Sequence, residues 1–156
     1  MKKGQSLIEL LVVIGLMAIL LPALITGLVT SRSGEAQQKQ RLEAVSVLKE
    51  TNEAVRGIRE KGWTDFLSLV TGSCPCGPFH PAISAGNWQF QNGVETLSSG
   101  LTREIWINDV NRDANGNIAE SGTNDPSTKK VTVTVKWSSP QTSQIESNFY
   151  LTRFRE

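Results

Sequence analysis

An uninterrupted apolar run near the N-terminus constrains this chain more than any other feature. Residues 10–29 read LLVVIGLMAILLPALITGLV, and Thr26 carries the only polar side chain among them. A helix of that length spans about 30 Å, which matches the hydrocarbon core of a bilayer. The run is too long for a secretory signal, and no small-x-small cleavage site follows it. The sequence therefore predicts a retained single-pass membrane helix over residues 5–30.

The charge pattern orients this helix. Lys2 and Lys3 lie on its short N-terminal side, so the positive-inside rule places that end in the cytoplasm and the rest of the chain outside it. The net charge is only +1, and a few scattered cations such as Lys129 and Lys130 make a weak footprint for nucleic acid. We therefore expect no direct binding of nucleic acid.

Residues 31–61 are predicted to continue the helix as an amphipathic segment. The apolar residues near one helical face are Leu42, Val45, Leu48, Val55 and Ile58. Gly62 is a suitable stop. Pro22 and Gly27 are expected to kink or loosen the apolar half, and residues 31–34 are the point at which the helix could break.

From residue 62 to residue 156 the apolar period becomes two residues, which predicts a globular sheet domain. KKVTVTVKW places Val131, Val133, Val135 and Trp137 on one face of a strand. REIWINDV, NWQFQ and NFYLTRF supply further strands. No helical pattern long enough for a crossover separates them, so we expect an antiparallel meander. The predicted fold class is α+β, with a long N-terminal helix packed on a small antiparallel sheet.

Oxygen-bearing side chains alternate in the polar segment between the two clearest strands. They are Asp109, Asn111, Asp113 and Asn115, followed by Gly116. This spacing is typical of a Ca²⁺ loop, although Gly122 stands where the bidentate acid belongs and no flanking helices are predicted. Two interpretations stay open, namely a Ca²⁺ site and an ordinary Asn/Asp/Gly turn.

The two cysteines and the single histidine give little scope for chemistry. Cys74 and Cys76 are too few for a four-ligand zinc site, even with His80. A local disulfide and two thiols are both compatible with the CPC step. The four tryptophans are assigned to the core. No triad, phosphate loop or paired-acid pattern occurs, so the sequence predicts neither an enzyme nor a small-molecule substrate.

Glu9 lies at the start of the apolar run, in GQSLIELLVV. A carboxylate at this boundary is either solvated among lipid headgroups or needs a partner. GQSLIE followed by the apolar span resembles the N-terminal segment of the type IV pilin and pseudopilin superfamily. The resemblance implies that residues 1–4 form a leader, which a prepilin peptidase removes after Gly4. The mature chain then begins at Gln5, and Pro22 matches a proline that the family often has partway along this helix.

The resemblance also implies a role for Glu9, which would neutralise the N-terminal amine of a neighbouring subunit as the helix enters a filament core. In the family the first mature residue is usually an N-methylated phenylalanine. Here it is Gln5, so methylation and cyclisation of this residue stay open. GPFHP, NWQF and LTREI further resemble the minor-pilin or pilus-modification-like branch.

Three functions follow as alternatives. The first is a structural subunit of a type IV pilus, with a minor pilin favoured. The second is a pseudopilin of a type II secretion system. The third is an unprocessed, membrane-anchored extracytoplasmic binding domain. The first two imply a bacterial inner-membrane protein whose partners are other pilin-like subunits, the prepilin peptidase and the assembly platform.

Overall fold

The computed structural model describes residues 3–70 and 74–153, except for the side chains of residues 3–6. Contacts divide the chain into two units, one ending at Gln40 and the other beginning at Arg41. The helices are α1 (Lys3–Glu60) and α2 (Trp63–Leu69). The strands are β1 (Cys76–Ser84), β2 (Asn87–Asn92), β3 (Glu95–Thr96), β4 (Thr102–Arg112), β5 (Ile118–Ala119), β6 (Thr123–Trp137) and β7 (Ser143–Thr152). This composition confirms the α+β class.

The first unit is the N-terminal part of α1, and its apolar side chains are exposed. Between Leu7 and Val29 the large apolar residues are 46% to 72% exposed. Among the described residues, α1 is the one helix long and apolar enough to cross a membrane, with a mean hydropathy of 2.7 in its most apolar window. The prediction of a long apolar N-terminal helix is therefore confirmed.

Helix α1 continues through residues 31–34, as expected for a membrane helix that extends into an amphipathic segment, and it does not break at the point where the sequence would have allowed a break. One glycine and two serines in this stretch lower the helix propensity by about 2 kcal/mol, which is too little to end a long helix. Pro22 removes one backbone hydrogen bond, because it has no N–H to donate to Ala18. The Thr26 hydroxyl donates to the Pro22 carbonyl at 2.8 Å, and the Thr30 hydroxyl donates to the Thr26 carbonyl at 2.9 Å. Hydroxyls satisfied in this way can enter an apolar environment.

In the second unit, the part of α1 from Arg41 onward packs one face on the sheet. Its most enclosed residues at helical spacing are Ala44, Leu48, Thr51, Val55 and Ile58. Leu42, which the sequence placed in this stripe, is 71% exposed. Leu42 and Ala44 are two residues apart, which puts them about 200° apart around the helix and therefore on opposite sides.

Helix α1 ends as predicted near Gly62, whose N–H donates to the carbonyl of Arg59 at 3.2 Å. The chain then forms α2, which the sequence analysis missed because seven residues are too few to show a period. Phe66 of α2 is fully buried, and its ring stacks on Trp63 with 5.4 Å between centroids. This short helix covers the sheet just beyond the end of α1.

The sheet is antiparallel, and its strands are ordered β2-β1-β4-β6-β7. The short strands β3 and β5 both pair with β4. Only β4, β6 and β7 follow one another as a meander, so the simple meander is wrong. The missed strand β1 lies between β2 and β4. Pro78 and Pro81 hid β1 in the sequence, because proline is rare inside central strands.

Apolar alternation along β4 and β6 builds the core against the helix. Ile105 and Ile107 of β4 and the three alternating valines of β6 are fully buried, and the valines share one face of their strand as predicted. All of them except Val135 pack with Val55 and Ile58 of α1 and with Phe66. Val135 belongs to a second cluster with Ala44, Leu101 and Trp137. Among the tryptophans, Trp137 is buried, and Trp63 and Trp88 pack against the larger core cluster. Trp106 instead points to the other face of the sheet, and its ring packs against Gly77. A Cβ added at Gly77 would lie 3.2 Å from the ring.

A buried arginine joins the helix to the sheet at one point. Arg103 lies on the inner face of β4, and its side chain is only 7% exposed. Its guanidinium forms ion pairs with Glu50 of α1 at 3.0 Å and with Glu95 of β3 at 2.5 Å. It also donates to the Thr51 hydroxyl at 3.5 Å and to the Pro81 carbonyl at 3.4 Å. One side chain therefore bonds to α1, β1 and β3.

We expect Arg103→Ala to destabilise the second unit by about 2 kcal/mol, because partly buried Glu95 loses its cation and the buried Thr51 hydroxyl and Pro81 carbonyl lose a donor. Urea unfolding of the full chain in mild detergent, followed by tryptophan fluorescence, measures this loss. All four tryptophans lie between residues 63 and 137.

The matched control is Glu53→Ala, which breaks the pair of Glu53 with Arg56. Both of these side chains are more than half exposed, at 68% and 54%. This variant should change the free energy of unfolding by less than about 1 kcal/mol. An equal effect of both variants would show that the burial of Arg103 has no energetic consequence.

Candidate functional site

The residues predicted to act in processing and assembly lie along α1. Gly4 and Gln5 belong to its first turn, and the side chain of Gln5 lies outside the described part of the chain. Residues 1 and 2 of the predicted leader lie outside it altogether. The Glu9 side chain is exposed one turn further on. No other charged residue occurs until Arg32. A single carboxylate therefore marks the start of an apolar surface that runs for about 30 Å.

The four residues of the candidate Ca²⁺ loop serve different local purposes. Asp109 accepts a hydrogen bond from the Lys129 ammonium, and the Asn111 amide donates to the Glu120 carbonyl at 3.3 Å. One Asp113 carboxylate oxygen accepts the backbone N–H groups of Asn115 at 2.9 Å and of Asn117 at 2.8 Å. These bonds form the turn between β4 and β5 in the way that Asx turns generally form.

No group of three or more His, Cys, Asp or Glu side chains is placed to hold a metal ion within residues 7–70 and 74–153. The backbone donors of the turn hold the pKa of Asp113 below its ordinary value. The bonds around Asp113 are those of the ordinary-turn interpretation.

A second polar cluster, missed from the sequence, connects the distal ends of β4 and β6. Arg112 donates to the Asp125 carboxylate at 2.6 Å and to the Gly116 carbonyl at 2.8 Å. The Thr128 hydroxyl donates to the same carboxylate at 2.7 Å. These two donors hold the pKa of Asp125 below its ordinary value, with Arg112 the larger cause. The backbone of Arg112 packs closely against Gly122. A Cβ added at Gly122 would lie 2.2 Å from the carbonyl oxygen of Arg112.

The structure has thiols at both cysteines, not a disulfide. Cys74 is half-buried and Cys76 is buried. Burial raises the pKa of the Cys74 thiol to about 12, and a hydrogen bond with the Cys76 thiol and the nearby charge of Asp109 act in the same direction. A thiol with this pKa stays protonated at neutral pH and is a poor nucleophile. The pair therefore has the environment of structural cysteines.

A polar cleft of about 390 Å³ lies on the sheet of the second unit. Its lining includes Asn111, Glu120, Lys130 and Tyr150. His80, the single histidine, does not belong to this lining, and its Nδ1 forms a hydrogen bond with the Gly93 carbonyl at 3.0 Å. Two polar side chains of the cleft have the bonds described above, Asn111 to the Glu120 carbonyl and Asp109 to the Lys129 ammonium.

The chain was compared with known proteins at three levels. No protein-family model, no curated protein and no solved structure matches it. The described residues contain a long apolar N-terminal helix and an antiparallel sheet. Arguments about function therefore rest on the residues themselves.

The polar cluster at the distal ends of β4 and β6 predicts a specific acid sensitivity. Because the pKa of Asp125 is lowered on folding, this residue contributes stability at and above its ordinary pKa of 3.8 and loses it as the pH falls further. We expect the free energy of unfolding of the wild type to fall more steeply between about pH 4 and about pH 2 than that of Asp125→Asn.

Urea unfolding of the full chain in detergent at each pH measures the two slopes. Asp113 is present in both proteins, so the difference between them isolates Asp125. Identical slopes would contradict a role for the pair of Arg112 and Asp125 in stability.

Proposed function

We propose that this protein is a structural subunit of a type IV pilus or a related pilin-like filament, with a minor subunit favoured. The observation that carries the proposal is the position of Glu9. It is the only charged residue between Gly4 and Arg32, five residues after a glycine that fits a prepilin cleavage site, and it begins a stretch whose large apolar side chains from Leu7 to Val29 are about half or more exposed. The proposal includes removal of residues 1–4 by a prepilin peptidase.

The exposed apolar surface requires a cover other than water. Soluble monomers rarely expose an apolar patch larger than a few hundred Å². Here every large apolar side chain from Leu7 to Val29 is about half or more exposed. A bilayer covers such a surface before assembly, and the matching helices of other subunits cover it in a filament. Internally bonded hydroxyls at Thr26 and Thr30 suit both surroundings.

Glu9 gives the helix a preferred register among its neighbours. A carboxylate surrounded by apolar helices is strongly penalised unless an opposite charge lies beside it. Cleavage after Gly4 creates such a charge, the amine of Gln5, on every subunit. Because the amine and Glu9 are four residues apart, one subunit's carboxylate reaches the next subunit's amine only when the helices are offset along the filament. The pairing would specify the stagger between subunits.

The remaining parts of the proposal concern location and partners. Lys2 and Lys3 favour a cytoplasmic N-terminus, with the sheet domain on the other side of the membrane. The partners would be other pilin-like subunits, the prepilin peptidase and the assembly platform. The chain's work would be assembly rather than catalysis.

Processing is tested by the intact mass of the protein from cells with and without the prepilin peptidase. We expect a chain beginning at Gln5 only when the peptidase is present, and the same spectrum shows whether the amine is free, methylated or cyclised. Gly4→Phe should block cleavage, because a bulky side chain occupies the position next to the cut bond. Full-length protein in both strains would contradict the proposal and favour a simple membrane anchor.

Assembly is tested separately with Glu9→Ala. We expect at least a tenfold lower recovery of the variant in sheared filaments, with unchanged cleavage and unchanged unfolding of the sheet domain. Glu35→Ala is the matched control, since it removes an exposed carboxylate of the same helix outside the apolar run. Equal recovery of both variants in filaments would show that Glu9 plays no part in assembly.

A further inference from the structure

The sheet ends in a long open strand, β7, which pairs with another described strand on one side only. The Arg153 N–H donates to the Ser127 carbonyl at 2.8 Å, in the same register as the ten pairs of β7 with β6. Hydrogen-bonded and non-hydrogen-bonded pairs alternate in an antiparallel ladder. The odd-numbered residues of β7 therefore bond to β6. The even-numbered residues direct their N–H and C=O groups outward.

The two edges of the sheet are protected to different extents. At β7, Arg59 donates to the outward carbonyl of Thr152 at 3.1 Å. At β2, the Gly93 N–H donates to the Pro78 carbonyl. By the same rule, the backbone N–H and C=O groups of Trp88, Phe90 and Asn92 point away from β1. Lys61 donates to the Trp88 carbonyl at 3.1 Å. Basic side chains near the end of α1 thus cover one outward carbonyl on each edge.

Strand β7 keeps the larger open edge after this protection. Four of its residues retain outward N–H and C=O groups, namely Gln144, Glu146, Asn148 and Tyr150. The strand has no proline or lysine, no bulge in its pairing with β6, and a single charge at Glu146. Prolines, lysines and bulges on an edge strand normally prevent a sheet from pairing with another chain. Their absence over four consecutive outward positions marks this edge as a site for a further strand.

We propose that the partner is a second copy of this chain, whose β7 pairs antiparallel with the first. In the proposed register Gln144 faces Tyr150 of the other copy, Glu146 faces Asn148, and Ser147 lies on the two-fold axis. Each of the four outward residues then exchanges two hydrogen bonds, and the bond of Arg59 to Thr152 is kept.

Side chains on both faces of the strand agree with this register. On the outer face, the Glu146 carboxylate of one copy faces the Asn148 amide of the other. This amide already donates one N–H to Glu146 of its own chain at 2.5 Å, and its second N–H can donate across the contact. On the inner face, half-buried Ile145 faces half-buried Phe149, a β-branched and aromatic pair of the kind that stabilises cross-strand contacts.

The neighbouring registers are worse. A shift centred on Glu146 brings two carboxylates together, which is destabilising. A shift centred on Asn148 pairs Gln144 with Thr152, whose carbonyl Arg59 already uses.

This contact is distinct from filament assembly. A two-fold contact uses the same surface on both copies and closes on itself, whereas a helical filament needs a head-to-tail contact that continues. The dimer is therefore a form of the protein outside the filament, and it does not depend on Gly4 cleavage or on Glu9.

Cysteine cross-linking of the full chain in mild detergent tests the register. Ser147→Cys places two thiols opposite each other across the two-fold axis in a non-hydrogen-bonded pair, about 5 Å apart at Cβ. We expect rapid oxidation to a disulfide-linked dimer on non-reducing gels. Gln144→Cys is the matched control, because its two copies would lie about 20 Å apart. The wild type reports any cross-linking through Cys74 and Cys76.

A charge exchange tests the same contact without cysteines. In Asn148→Glu, the new carboxylate of each copy faces Glu146 of the other copy, so two pairs of like charges form in the dimer. We expect the dissociation constant of the dimer, measured by light scattering, to rise at least about tenfold. Adding Glu146→Lys to this variant should restore dimerisation, because each new carboxylate then faces an ammonium. Unfolding curves of each variant report any effect on the fold of the single chain.

The proposal is overturned if Ser147→Cys fails to cross-link faster than Gln144→Cys. It is also overturned if the double variant with intact folding stays as monomeric as Asn148→Glu. Both experiments have the same outcome whether or not the leader is cleaved, so they separate this proposal from the proposed function.

Discussion

The globular unit depends on one buried cation. Arg103 stands on the apolar face of β4, and its guanidinium bonds to carboxylates on α1 and β3 and to a carbonyl on β1. Apolar packing is tolerant of small shifts along a helix, but a buried guanidinium requires its partners at fixed positions. The ion pairs therefore select the position of α1 on the sheet. Once α1 is placed, Arg59 and Lys61 reach the two edges of the sheet.

The two units of the chain satisfy their apolar surface in different ways. From Arg41 onward, the apolar residues of α1, α2 and the central strands bury one another in two core clusters. Between Leu7 and Val29, the apolar residues have no partner within the described chain and are exposed. The globular unit therefore buries its own apolar surface, whereas the N-terminal helix leaves its apolar surface to be covered by something else. This division is what a subunit needs if it must fold first and assemble later.

The outward backbone groups of β7 are a second unsatisfied surface. The apolar helix needs a cover because water does not solvate it, whereas the strand edge offers directional hydrogen bonds that water also satisfies. The apolar helix must therefore be covered, whereas the strand edge can remain in contact with water. In the two proposals, the helix would therefore form the permanent contact of a filament, and the β7 edge would form a reversible contact between copies.

The sequence alone determined the features that depend on local pattern. The apolar run, the helix end at Gly62 and the alternating valines of β6 were predictable, because each is a periodicity read over adjacent residues. The Glu9 motif is also local, and its function stays a proposal. Arg103 offered a signal that was overlooked, since it shares the parity of Ile105 and Ile107 on β4. Only the tertiary structure decided the strand order, the insertion of β1, the ion-pair partners of Arg103 and the open edge at β7. These features join residues far apart in the chain, and no local period encodes which distant groups meet.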